Sequence, residues 1–174
     1  MANIPNYKPL FDQAALAQRI RELGAQISKD YAGQELTCVC VLKGSVLFFA
    51  DLVRAITIPT RFEFIGVKSY EGTSSTGHVQ ITTDLSADIK GANVLVVEDI
   101  VDTGMTIDFL FNTLRVREPK SLKICALLSK PDAHVMKNDI DYVGFEISRE
   151  FVIGYGLDLD GQYRNLPYIA QVQT

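Results

Sequence analysis

Leu16, Ile20, Leu23 and Ile27 recur every three or four residues behind Asp12. That spacing predicts an amphipathic helix over residues 12–31 with Asp12 as its N-cap. Runs at Leu36–Leu42, Arg61–Val67, Asn93–Glu98 and Leu122–Leu128 predict strands, and helical periodicity returns at Val46–Ile56 and from about Gly104 to Val116. Tyr142–Phe145, Phe151–Tyr155 and Tyr168–Val172 predict short strands further along. Several of the strand runs are apolar almost without alternation, so both of their faces must be covered. Alternating with helices, they predict an α/β fold on a mainly parallel sheet flanked by helices. The polar stretch Ser69–Thr83, rich in Gly, Ser and Thr, predicts a long flexible loop or weak hairpin.

With 174 residues, no repeat and no Pro/Gly/Ser-rich linker, the chain reads as one domain, 1–174. Seventeen basic against 21 acidic side chains leave a net charge of −4, which offers no footprint for nucleic acid or an anionic membrane. No apolar run approaches the roughly 20 residues that span a bilayer. The start, Met1-Ala-Asn-Ile-Pro-Asn-Tyr-Lys, lacks the basic and apolar regions of a signal peptide. A cytoplasmic location is expected, and three cysteines (Cys38, Cys40 and Cys125) fit buried free thiols better than a disulfide framework. His78 and His134 stand far apart with no Cys or His at ligand spacing, which argues against a dedicated zinc site.

The segment most informative about chemistry is Val94-Leu-Val-Val-Glu-Asp-Ile-Val-Asp-Thr-Gly-Met-Thr106. An apolar strand delivers the adjacent carboxylates Glu98 and Asp99, and Asp102 follows before Thr103-Gly104-Met105-Thr106 and the next helix. A strand, a hydroxyl- and glycine-bearing turn and a helix N-terminus together point backbone N–H groups at one spot, a cradle for a phosphate monoester. Carboxylates beside it would repel that ligand unless they face sugar hydroxyls or a hydrated cation, a role that suits magnesium. The ligand implied is a sugar phosphate with a vicinal diol. Ligands of parallel sheets bind beyond the carboxyl ends of strands near the switch point, so Lys43, Glu98–Thr106 and Lys130 should converge on one rim.

Glu98-Asp99-x-x-Asp102-Thr103-Gly104-x-Thr106 resembles the signature of type I phosphoribosyltransferases, with Met105 in the variable slot. Further segments resemble the hypoxanthine-guanine branch of that family, and the likeness runs from about residue 8 to 172. The resemblance implies the family's fold: a twisted sheet, a small hood subdomain from the chain ends and a flexible lid loop. It implies that Glu98, Asp99, Asp102, Thr103, Gly104, Met105 and Thr106 bind the ribose and 5′-phosphate of phosphoribosyl pyrophosphate. Leu42-Lys43-Gly44-Ser45 resembles the loop that meets pyrophosphate, where the peptide before the lysine is often cis. Lys43, Gly44 and Arg164 fall on pyrophosphate, and Ser69-Tyr70 opens the lid. Lys130, Phe151, Val152 and Asp158 fall on the purine, with Lys130 donating to its O6, Phe151 stacking and Val152 offering backbone hydrogen bonds. The cofactor implied is Mg2+, near Glu98, Asp99 and Asp158.

The reaction implied joins a 6-oxopurine to phosphoribosyl pyrophosphate in purine salvage, with Asp102 as the catalytic proton acceptor at N7. Lys130 has donors only, which favours a 6-oxo group over the 6-amino group of adenine. Small-molecule partners, with no nucleic acid and no membrane, are expected, in a homodimer or homotetramer by family analogy. Two alternatives remain: a regulator of the same fold that senses phosphoribosyl pyrophosphate and binds nucleic acid, and an enzyme for xanthine or another base.

Overall fold

The computed structural model describes residues 6–70 and 78–173. Asp12 accepts the Ala15 N–H (2.8 Å) and caps helix α1, Gln13–Asp30, whose buried stripe is Leu16, Ile20, Leu23, Gly24 and Ile27. Strand β2 (Leu36–Leu42) leads into helix α2 (Val46–Ala55), which packs on α1. A side chain at Gly24 would lie 2.6 Å from the Ala55 Cβ, so the glycine sets how closely the two helices approach.

Strands β3 (Thr60–Tyr70) and β4 (His78–Thr83) follow, then β5 (Asn93–Val101), helix α3 (Met105–Arg115), β6 (Ser121–Ser129) and β7 (Tyr142–Glu146). They form a six-stranded sheet in the order β4-β3-β2-β5-β6-β7, parallel throughout except for β4 against β3. Period-two alternation splits the buried residues of β2 and β5 between two layers. Cys38, Cys40, Leu95 and Val97 face the core under α1 and α2, while Val39, Val41, Val94 and Val96 face the core under α3 with Leu110 and Leu114. Covering both faces explains why these strands read as continuous apolar runs. On the outer edge, Arg19 of α1 donates to the Val143 and Gly144 carbonyls of β7 at 2.8 Å each, satisfying edge acceptors that would otherwise meet only water.

A second sheet joins the two ends of the chain. Strand β1 (Tyr7–Phe11) pairs antiparallel with β9 (Ile169–Val172), which pairs antiparallel with β8 (Val152–Ile153). This is the expected hood, although the sequence pattern showed no strand at residues 7–11. The polar stretch also differs from a plain loop: β3 runs to Tyr70 and pairs with β4, so the hairpin alternative holds at both ends. Residues 71–77, where the lid is expected, lie outside the described residues. No helix among the described residues is long and apolar enough to cross a membrane.

Candidate active site

Chain order reverses between β2 and β5: β3 lies on one side and β6 on the other. The crevice beyond their carboxyl ends is the switch point where ligands of such sheets bind. Two loops meet there. A Cβ on Gly44 would lie 1.6 Å from Asp99 Oδ2, so only a glycine lets the loop after β2 close onto the acid of β5. The Leu42–Lys43 peptide is cis, and Ser45 Oγ donates back to the Val41 carbonyl at 2.5 Å, closing the turn into α2. Lys43 is exposed beside it.

β5 continues past Glu98, where the predicted strand ends, through Asp99 to Val101. Ile100 packs on the same core as Leu95 and Val97, so the two-residue alternation breaks across the acidic pair. The Asp99 N–H approaches Glu98 Oε1 at 3.4 Å and the Ile100 N–H donates to Asp99 Oδ1 at 2.8 Å. Glu98 Oε2 is buried with no hydrogen-bond partner. Burial pushes the Glu98 carboxyl well above the ordinary carboxylate range, and the Asp99 charge pushes it further. Burial raises Asp99 as well, opposed by hydrogen bonds from Glu98 and the Ile100 N–H and by the Arg164 charge. Adjacent acids that resist ionisation, one with an orphaned oxygen, form a donor set whose charge a cation would balance. Magnesium keeps several waters and needs only one or two carboxylates, so the pair fits it. Among the described residues no three His, Cys, Asp or Glu side chains cluster as a closed metal site.

Next to the pair, Glu98, Ile100–Gly104, Thr106 and Ile107 line a cavity of about 120 Å³. Gly104 turns the chain with φ +83, and a Cβ there would strike the Met136 side chain at about 2.4 Å. Helix α3 starts at Met105 behind Gly104, which offers no side-chain cap, so the first N–H groups of the helix lack a capping side chain at the N-cap. Thr103 Oγ1 sits 3.5 Å from the Met105 N–H. The Lys130 N–H donates to the Val101 carbonyl at 2.9 Å, which docks the end of β6 on the same rim, and Lys130 Nζ reaches Asp102 Oδ2 at 3.0 Å.

Phe151 is 51% exposed, large for an aromatic beside a buried strand, whereas Val152 is buried opposite Gln171 in the hood sheet. The Ile147 N–H donates to the Ser129 carbonyl (2.9 Å) and ties the segment before Phe151 to the end of β6. Asp158 pairs with Arg164 at 2.6 Å, and the Arg164 charge in turn acts on Asp99. Arg164 also donates to the Gly156 carbonyl at 2.5 Å. Ser69 and Tyr70 end β3, where the described residues break off. The structure thus brings together Lys43, Gly44, Glu98, Asp99, Asp102–Thr106 and Lys130, and it reaches the group through Gly156, which sequence reasoning passed over. A Cβ on Gly156 (φ +103) would lie 1.9 Å from the Gly44 carbonyl oxygen. Only the alternation Gly154-Tyr155-Gly156 hinted at a tight approach there.

Residues 6–160 match the model of the phosphoribosyl transferase domain. A hypoxanthine-guanine phosphoribosyltransferase of Mycobacterium tuberculosis is 53% identical over 159 residues, covering 87% of this chain and 79% of its own. The hypoxanthine phosphoribosyltransferase of Haemophilus influenzae is 49% identical over 158 residues, 88% of each chain. Among solved structures, a hypoxanthine-guanine phosphoribosyltransferase of Bacillus anthracis superposes with a TM-score of 0.92 at 42% identity, over 99% of this chain and 100% of that one.

Proposed function

The chain belongs to the phosphoribosyl transferase domain family, among its hypoxanthine-guanine phosphoribosyltransferases, and from that premise we infer that it is a purine salvage enzyme. It transfers the 5-phosphoribosyl group from phosphoribosyl pyrophosphate to hypoxanthine, guanine or both, giving the nucleoside monophosphate and pyrophosphate. The observation that carries this reading is the cavity of about 120 Å³ between Glu98 and the Asp102–Thr106 turn at the switch point, with Lys130 held on Asp102 at its border.

The roles follow from chemistry at that rim. Backbone N–H groups of the Thr103–Thr106 turn and the uncapped start of α3 hold the 5′-phosphate. Glu98 and Asp99 face the ribose hydroxyls and would hold magnesium, which when bound neutralises charge on the departing pyrophosphate. Lys43, Gly44 and Arg164 receive that pyrophosphate, and preorganised positive charge there stabilises the transition state in which the anomeric carbon is oxocarbenium-like. Asp102 accepts the proton from the purine N7. Lys130 donates to the purine O6, Phe151 stacks on the ring, and the chain at Val152 and Asp158 borders its far edge. Ser69 and Tyr70 begin a lid that excludes water from the activated sugar. Residues 1–174 act as one phosphoribosyltransferase domain. A cytoplasmic homodimer or homotetramer that binds no nucleic acid completes the reading; half-exposed Phe62 and Phe64 of β3, resting on Phe49 of α2, support a self-contact.

A panel of hypoxanthine, guanine, xanthine, adenine and uracil, each with phosphoribosyl pyrophosphate and Mg2+, tests the reading by pyrophosphate release. Release with hypoxanthine or guanine and none with adenine is expected. Silence with every 6-oxopurine overturns it.

A further inference from the structure

The Gly154–Tyr155–Gly156 turn touches two of the three residues placed on pyrophosphate, Gly44 and Arg164. Gly156 packs on the Gly44 carbonyl without room for a Cβ. Its N–H donates to the Arg164 carbonyl at 2.9 Å, and the Arg164 guanidinium returns a bond to the Gly156 carbonyl at 2.5 Å. A shift of this turn would therefore move the Lys43–Gly44 loop and Arg164 together.

Tyr155 holds the turn's centre. It has φ +51, a left-handed conformation that disfavours any residue with a Cβ, and its neighbours must hold it there. Its N–H donates to the Leu166 carbonyl at 2.9 Å. Its ring is buried, and its hydroxyl donates to Asp51 Oδ2 on α2, the helix that the Lys43–Gly44 loop feeds. The other Asp51 oxygen pairs with Arg54, so the acceptor is itself oriented. Behind the ring lies a cavity of about 740 Å³ bordered by Asp51, Arg54, Tyr155 and Leu166. The ring belongs to the buried core, and the hydroxyl bond adds a directional restraint that ties the turn to α2.

We propose that Tyr155 and Asp51 are positioning residues for the pyrophosphate subsite, fixing the Gly154–Gly156 turn so that Lys43, Gly44 and Arg164 keep one geometry. This rests on the assignment of those three groups to pyrophosphate. Neither Tyr155 nor Asp51 touches substrate in this scheme; each acts through the turn. Loss of the contact should therefore be felt by ligands carrying pyrophosphate and not by the purine.

Steady-state kinetics in both directions on Tyr155→Phe, Asp51→Ala and Asp51→Asn decide it. Tyr155→Phe and Asp51→Ala are expected to lower kcat/KM for phosphoribosyl pyrophosphate, and for pyrophosphate in reverse, by about tenfold or more, as outer supports of a site do. The KM for hypoxanthine should stay within about twofold, and Asp51→Asn, which keeps an acceptor oxygen, should recover most of the loss. Tyr155→Phe removes one oxygen and keeps the ring, so it reads the contact even if Asp51→Ala fails to fold. Unchanged constants in Tyr155→Phe, or equal losses for purine and pyrophosphate ligands, overturn the proposal. Absence of transfer by the unmodified protein would instead remove the functional reading beneath it.

Discussion

Lys130 Nζ donates to Asp102 Oδ2 at 3.0 Å, joining the residue assigned to the purine O6 to the one assigned to N7. The lysine side chain is 11% exposed and the aspartate 55%, so the bond reaches from a buried cation to a carboxylate at the rim. Each orients the other before a base arrives. Asp102→Asn should lower kcat by roughly 10²–10⁴ while affinity for phosphoribosyl pyrophosphate survives. Lys130→Ala should weaken 6-oxopurine use more than sugar-phosphate binding. Because the two share one contact, the double variant should lose less than the product of the single losses, measured as kcat/KM in a double-mutant cycle. Strict multiplicativity would show that they act separately.

All three cysteines are free and buried. Burial pushes the Cys38 thiol up to about 12 and raises Cys125 as well, while Cys40 is raised by burial and by the Glu98 and Asp99 charges. Thiols so placed are not nucleophiles at neutral pH. Ellman's reagent at pH 8 should therefore find almost no reactive thiol in the folded protein and all three after denaturation. Prompt labelling of the native chain would show that the core opens near these strands.

The rim was legible in the sequence because its chemistry is local. One segment, Val94–Thr106, carries the strand, both acids, the turn and the helix start in consecutive residues. The hood was only half legible: β1 is short, has a mostly exposed burial pattern and contains Pro9, so no periodicity marks it, and its partner β9 lies at the other end of the chain. The continuation of β5 beyond Glu98 was hidden for another reason. Charged residues read as a turn unless the burial of their neighbours is known, and here Val101 is again buried. Contacts between distant segments, Gly156 on Gly44 and Tyr155 on Asp51, leave no spacing signal at all.

Gly44 and Gly33 separate two uses of glycine. A Cβ on Gly44 collides with Asp99, whereas one on Gly33 meets nothing within 4 Å but sits at φ +74. Gly33→Ala should cost about 1–2 kcal/mol of stability through its left-handed backbone and leave the kinetic constants alone. Gly44→Ala should displace the Asp99 carboxylate and lower kcat/KM for phosphoribosyl pyrophosphate by about tenfold or more. Denaturant unfolding beside steady-state kinetics on both variants checks the contrast. A Gly44→Ala enzyme with native constants would mean that Asp99 can move aside without consequence.

Glu98 shows the same separation of stability from activity in a charged group. Its Oε2 is buried and unpartnered, and its neighbour Asp99 is an acid in the same crevice. An unsatisfied buried oxygen costs roughly 1–3 kcal/mol, and the metal-free protein bears that cost. Glu98→Gln keeps the shape, removes the charge and gives Asp99 an amide N–H donor. In the absence of Mg2+ the variant should be more stable by about 1 kcal/mol, a rise of about 2–4 °C in Tm for a chain of this size. In the presence of Mg2+ and phosphoribosyl pyrophosphate the order should reverse, because ligand binding stabilises the native enzyme more than a variant that has lost half of its anionic pair. Thermal unfolding of both proteins with and without those ligands measures the crossing. Parallel shifts with no crossing would show that the Glu98 charge does not serve the bound metal and sugar.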